Sequence, residues 1–260
     1  VDISAGLSED STGGSVSLSA GQGGPSSIGG SIVINSANTD AQGESGAVSI
    51  STGSTAAGSS GRILIESGNS VDQDAGDITL STGASSAGRG GGISVVAGDS
   101  NGETGGHVTV RSGGSVTGRS GAIRIKTGKT AASGASGMVS LETGDAASGI
   151  SGGVQVGAGA SLNEDGGSIS MSVGDSATGV GGHVFLSAGG STSSTGGSVT
   201  MESGDSQNGA SGSVAIRSGS GASSGSISVS TGDATAASSG SINLVSGEAV
   251  GNGGAISIAA

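Results

Sequence analysis

The chain has 260 residues, of which 59 are Gly and 57 Ser, with one Phe, one Pro and no Trp, Tyr or Cys. No large rings are available to fill a thick core, and disulfides and thiolate metal sites are excluded. Eight Lys and Arg against 20 Asp and Glu give a net charge of −12, which repels nucleic acid and anionic membranes, and no apolar window is long enough to insert into a bilayer.

One short motif runs from end to end. Pairs of the form aliphatic, any residue, aliphatic begin at Val1, Val16, Ile32, Val48, Ile63, Ile78, Ile93, Val108, Ile123, Val139, Val154, Ile169, Val184, Val199, Val214, Ile227, Ile242 and Ile256. These 18 copies are mostly 15 residues apart, with a few steps of 16 and single steps of 13 and 14. Of the 51 Ile, Leu, Val, Met and Phe residues, 36 fall in the two aliphatic columns. A disordered low-complexity chain has no reason to concentrate them so.

Glycine brackets each pair. Two residues before the first aliphatic, Gly occupies all 17 copies that contain the position, from Gly14 and Gly30 to Gly240 and Gly254. Five residues after it Gly returns, with Ala37 the one exception. Positive φ or a close backbone approach explains such constancy, and if φ is positive at a bracket glycine such as Gly121 or Gly182, Val or Ile there should be strongly destabilising. The residue before the second Gly is small almost throughout, Val173 being the exception. Seven residues after the first aliphatic, Ser, Thr, Ala or Gly appears in every copy, as at Ser176, Ser191, Ser206 and Ala234. That column is expected to face inward.

Alternation over five or six residues, rich in Val and Ile and ended by Gly, predicts a strand at each pair. One strand cannot bury its own two aliphatic residues, whereas stacked repeats can. The predicted fold is all-β: a parallel β-solenoid of about 17 coils with a 15-residue repeat and a thin aliphatic and small-residue core. Residues 1–260 form one continuous solenoid in this reading, expected to be a fragment of a longer repeat protein or filament. Ile63 should lie between Val48 and Ile78. Charges in one column of successive coils should pair, as Glu202 with Arg217, Lys126 with Glu142 and Arg62 with Asp77, because neighbouring strands lie about 4.8 Å apart.

Little in the chain suggests chemistry. Asp follows the second Gly at Asp99, Asp145, Asp175, Asp205 and Asp233, but these residues alternate with coils that lack it, too far apart for a calcium shell of six or more oxygens. They are expected to bond their own backbone in turns. His107 and His183 share a column but stand five coils apart. No Ser occupies a singular context, since a nucleophile needs a positioned base and an oxyanion site. Catalytic, cofactor-binding and metal-binding residues are therefore all assigned as none, no cofactor is expected, and the chain is not read as an enzyme.

The column between the two aliphatics carries Ser17, Ser49, Thr79, Ser94, Thr109, Ser140, Ser170, Thr200, Ser228 and Ser257. Such a hydroxyl array resembles the surfaces of insect-type antifreeze proteins and bacterial ice-nucleation repeats. Arg62, Glu66, Arg111, Lys126, Glu142, Glu202 and Arg217 interrupt the outward columns here, and the Tyr of the ice-nucleation repeat is absent. Composition and repeat length also resemble the Ser/Gly-rich solenoids of secreted algal and bacterial surface proteins. That resemblance implies a structural rod or filament segment of an extracellular fibre, appendage, matrix or cell-surface adhesin. The alternative is an ice-binding or other surface-binding solenoid using its Ser/Thr-rich face. Self-association with further copies of the repeat is the expected partnership, with ice or a polysaccharide surface as the alternative and with neither nucleic acid nor membrane insertion.

Overall fold

A computed structural model describes residues 1–9, 11–39, 43–131 and 134–259; Ala260, in the last repeat, lies outside them. The chain divides into two units, Val1–Lys126 and Thr127–Ala260, each built from the same repeat.

The predicted solenoid is not what forms. Among the described residues there is no helix and no strand, so the aliphatic segments are not laddered into a sheet. Ile63, expected to be covered by Val48 and Ile78, is 49% exposed, and all 51 Ile, Leu, Val, Met and Phe side chains are exposed. No residue forms a buried core among those described. The accessible surface is 25559 Å². A compact protein of 23.5 kDa would expose about 9,800 Å² and its unfolded chain about 34,000 Å². The column pairs of opposite charge rested on the same stacking and go with it. Glu142, assigned to Lys126, instead accepts a hydrogen bond from the Ser140 hydroxyl two residues earlier, at 2.6 Å.

The physical reason lies in the sparseness of the aliphatic residues. Each repeat offers two of them, worth about 1.5–3 kcal/mol apiece when fully buried. Ordering backbone costs about 1–2 kcal/mol for every residue, and most of each repeat is Gly, Ser, Thr or Ala, which return little when buried. Periodicity thus survives without burial.

What does repeat is a local loop. The aliphatic pairs lie in coil segments, and among the described residues eight of the polar stretches between them fold back so that their two bracketing glycines meet. Gly14, Gly91, Gly106 and Gly121 donate their N–H groups to the carbonyls of Gly6, Gly83, Gly98 and Gly113 in the first unit, at 2.9–3.2 Å. Gly167, Gly197 and Gly212 do the same to Gly159, Gly189 and Gly204 in the second, at 2.8–2.9 Å. A 16-residue step is absorbed inside the loop. Between Gly21 and Gly30 the extra residue is accommodated by a β-turn in which Ser27 N–H donates to Gly24 C=O at 3.0 Å, with Pro25 at the second turn position, and the neck still closes at 2.9 Å.

Without a protected ladder, backbone amides of the aliphatic segments should exchange with solvent far faster than those of a folded sheet. Hydrogen–deuterium exchange checks this: Ile63, Ile65, Val108 and Val110 should lose their amide protons ahead of the neck amides Gly106 and Gly121.

Candidate functional site

The recurring loop is the one constructed feature of the chain, and its parts follow from residue size. Beside each neck stands the small residue that precedes the second bracket glycine. A Cβ added to Gly106 would lie 3.1 Å from the Ala97 Cβ and 3.2 Å from the Gly98 nitrogen. At Gly167 it would lie 3.0 Å from the Ala158 Cβ and 3.2 Å from the Gly159 oxygen. Close approach accounts for the glycine at these necks, whereas at Gly76, Gly152 and Gly254 an added Cβ would meet only ordinary contacts of 3.6–3.8 Å. Among the described residues positive φ is found at Gly149 alone, with φ 131°, and so not at Gly121 or Gly182.

The size of that neighbouring residue bears on the neck without deciding it alone, since Gly68 and Gly76 beside Ser67 are not bonded to each other. Where it is Ala, as at Ala5, Ala20, Ala97, Ala158 and Ala188, the glycines bond at 2.8–2.9 Å. Ser112 and Ser203 allow the same closure. With Thr82 the bond lengthens to 3.2 Å, and the Thr82 hydroxyl donates to the Gly91 carbonyl at 3.1 Å. The Thr143 hydroxyl bridges to the Gly152 carbonyl at 3.1 Å, with no glycine-to-glycine bond beside it among the described residues. Val173 carries a methyl group, Cγ1, into the space a Cβ on Gly182 would occupy, and that neck is likewise open. A β-branched side chain puts a second heavy atom on Cβ, where the opposing glycine must come.

Inside the loop, the column seven residues after the first aliphatic does different work from that expected of it. Its hydroxyl is an acceptor for the backbone three residues on, an ST turn. Ser85 Oγ accepts from Gly88 N–H at 2.8 Å, Ser115 from Gly118 at 2.9 Å, Ser176 from Gly179 at 2.8 Å and Ser206 from Gly209 at 2.9 Å. Thr55 does so for Gly58 at 3.0 Å. Ser100 and Ser191 each take two N–H groups, those of Gly102 and Glu103 and those of Ser193 and Ser194. Apart from Ser8 and Gly23 the column is exposed, so where it is Ser or Thr its small size reflects a turn bond and not an inward wall.

That turn bond was expected of the neighbouring Asp. In the loops that begin with Asp99, Asp175 and Asp205 it belongs to the following Ser100, Ser176 and Ser206, and the carboxylates stand exposed. His107 and His183 are exposed as well. The His183 ring sits 5.9 Å from the Phe185 ring at a tilt of 51°, a contact between alternate residues of one segment. Among the described residues no three His, Asp or Glu gather as metal ligands, and no pocket forms. What the arrangement offers is a series of short loops presenting hydroxyls and carboxylates, separated by exposed aliphatic pairs. Comparison with protein families, curated proteins and solved structures gives no match.

Two outcomes test the loop. Val173→Ala should close the neck between Gly174 and Gly182 and slow exchange of the Gly182 amide, while Ala97→Thr should speed that of Gly106. Ser176→Ala removes one turn bond worth about 0.5–1.5 kcal/mol, so the Gly179 amide should exchange up to about tenfold faster with Gly209, in another loop, unaffected.

Proposed function

We propose that the chain is a structural segment of an extracellular fibre, appendage, matrix or cell-surface adhesin, and that it works by associating with further copies of the same repeat. One observation carries the reading: aliphatic pairs recur along the chain at a nearly constant step, and every one is exposed. A soluble monomer rarely leaves contiguous apolar surface uncovered. A chain that leaves the same two residues uncovered in every repeat offers a periodic contact, and a periodic contact is matched best by a surface with the same period.

Composition supports the reading. Strong hot spots in heterologous interfaces draw on Trp, Tyr and Arg, and this chain has no Trp or Tyr and few Arg. Small apolar contacts summed over many repeats suit cohesion between like chains. The net charge of −12 opposes indiscriminate clumping, leaving association to surfaces whose charges match. The ice-binding alternative drew on hydroxyls held in one plane by a sheet; with no sheet among the described residues, cohesion between copies is the better-supported reading.

Electron microscopy of the purified chain at rising concentration, and of native material, tests the proposal. Thin fibres or a fibrous coat on the cell exterior are the expected result, and a protein that stays monomeric at every concentration and is recovered from the cell interior would refute it.

A further inference from the structure

The charges of the first unit are segregated in a way the repeat alone does not require. After Glu103 no carboxylate occurs before the unit ends at Lys126, while Arg111, Arg119, Arg124 and Lys126 fall in that stretch. Three repeats earlier, residues 62–77 carry Glu66, Asp72, Asp74 and Asp77 against the single cation Arg62. Both stretches are exposed throughout apart from Ser112.

The two stretches also match position for position. Glu66 stands three residues after Ile63 and Arg111 three after Val108; Asp74 stands eleven after Ile63 and Arg119 eleven after Val108. Glu44 and Arg89, each four residues before an aliphatic pair, continue the match. An offset of 45 residues, or three repeats, thus opposes three carboxylates to three guanidinium groups within the first unit and opposes no like charges there. Other offsets do worse. One repeat sets Asp74 against Arg89 and Arg62 against Asp77 but also Arg111 against Lys126; two repeats set Glu44 against Asp74 and Arg89 against Arg119; four match only Glu66 with Lys126 in the same column. Like charges in direct opposition are destabilising and opposite ones favourable.

We infer that residues 107–126 are a docking surface for residues 62–77 of a second copy, laid parallel at a three-repeat offset. This rests on the self-association proposed above and adds to it a register and a direction. Apolar contact accompanies the charges, because the offset places Ile63 and Ile65, 49% and 70% exposed, beside Val108 and Val110, 55% and 73% exposed. The area is sufficient: 25559 Å² over 260 residues leaves a 16-residue stretch roughly 1,600 Å², and covering half of that on each partner reaches the roughly 800 Å² per side of a stable interface. A carboxylate-bearing polymer of another kind could meet the arginines, but only a copy of this chain brings both their column spacing and the facing aliphatic pairs. Since the donor stretch and the acceptor stretch differ, the contact is head-to-tail. Each added copy presents a fresh surface, so assembly is open-ended, as a fibre needs.

Charge reversal in pairs tests the register. Wild-type chain should associate in sedimentation velocity at about 0.1 M salt and much less at about 1 M, as the screening length falls from about 10 Å to about 3 Å. Arg111→Glu with Arg119→Glu should sediment as a monomer, and so should Glu66→Arg with Asp74→Arg. Mixing the two double variants restores opposite charge at every contact, so the mixture should associate like wild type, as should one chain bearing all four changes. If either double variant forms the same fibres as wild type, or if the mixture stays dissociated, the three-repeat register is wrong while the structural reading stands. Should wild type form no assembly under any condition, that reading falls with it. Capture of monomeric wild type by a sulfated polysaccharide, lost in the Arg111→Glu, Arg119→Glu variant, would overturn the proposal and reassign the surface to a polyanion.

Discussion

The recurring structure depends on one short contact, the hydrogen bond between two glycines that closes eight of the polar loops. It spans only nine residues in seven of these eight loops, as from Gly98 to Gly106, and so needs no distant part of the chain. At these closed necks a Cβ on the donor glycine would come within 2.9–3.3 Å of its nearest neighbour, and the residue before the acceptor glycine is Ala or Ser in all of them but the one at Thr82. Thr and Val at that position mark where the contact lengthens or gives way. Three columns of the repeat therefore follow from one steric requirement, and the fourth, the Ser that accepts a hydrogen bond within the loop, completes the turn.

Because closure is local, each loop tolerates change without disturbing its neighbours. The ten-residue loop from Gly21 to Gly30 keeps its neck by adding a β-turn. The shorter polar stretch between Gly219 and Gly225, in the 13-residue step, has no neck bond, since too few residues remain to bring the glycines together. A repeat assembled in this way can be lengthened one copy at a time, and its aliphatic pairs keep their position relative to the loops. In the proposed self-association, that constancy of spacing would make contact between copies additive along the chain.

Exposure of the aliphatic pairs links structure to function. A pair too small to drive a core is still large enough to contribute when many repeats meet many others, and neither partner needs a pocket. Charge then discriminates among the offsets that a periodic apolar surface would otherwise accept equally. In the proposed assembly, apolar columns would supply cohesion and the uneven placement of Glu66, Asp74, Arg111 and Arg119 would supply register.

Read alone, the sequence determined the repeat, its step, the bracketing by glycine and the confinement of Val173 to a single exceptional copy. These are local properties, set by residue size and by which side chains lack a Cβ, and they appear directly as columns. Close approach at Gly106 and Gly167 was among the readings those columns allowed. Only the tertiary structure decided whether the aliphatic pairs laddered into a sheet, and among the described residues they do not: alternation of aliphatic and polar residues specifies which side chains could share a face, whereas a ladder requires enough buried area to offset the ordering of the whole repeat. It also decided that the loop Ser, and not the neighbouring Asp, makes the turn bond, because two adjacent side chains with oxygen acceptors look alike in sequence and are separated only by the path of the backbone.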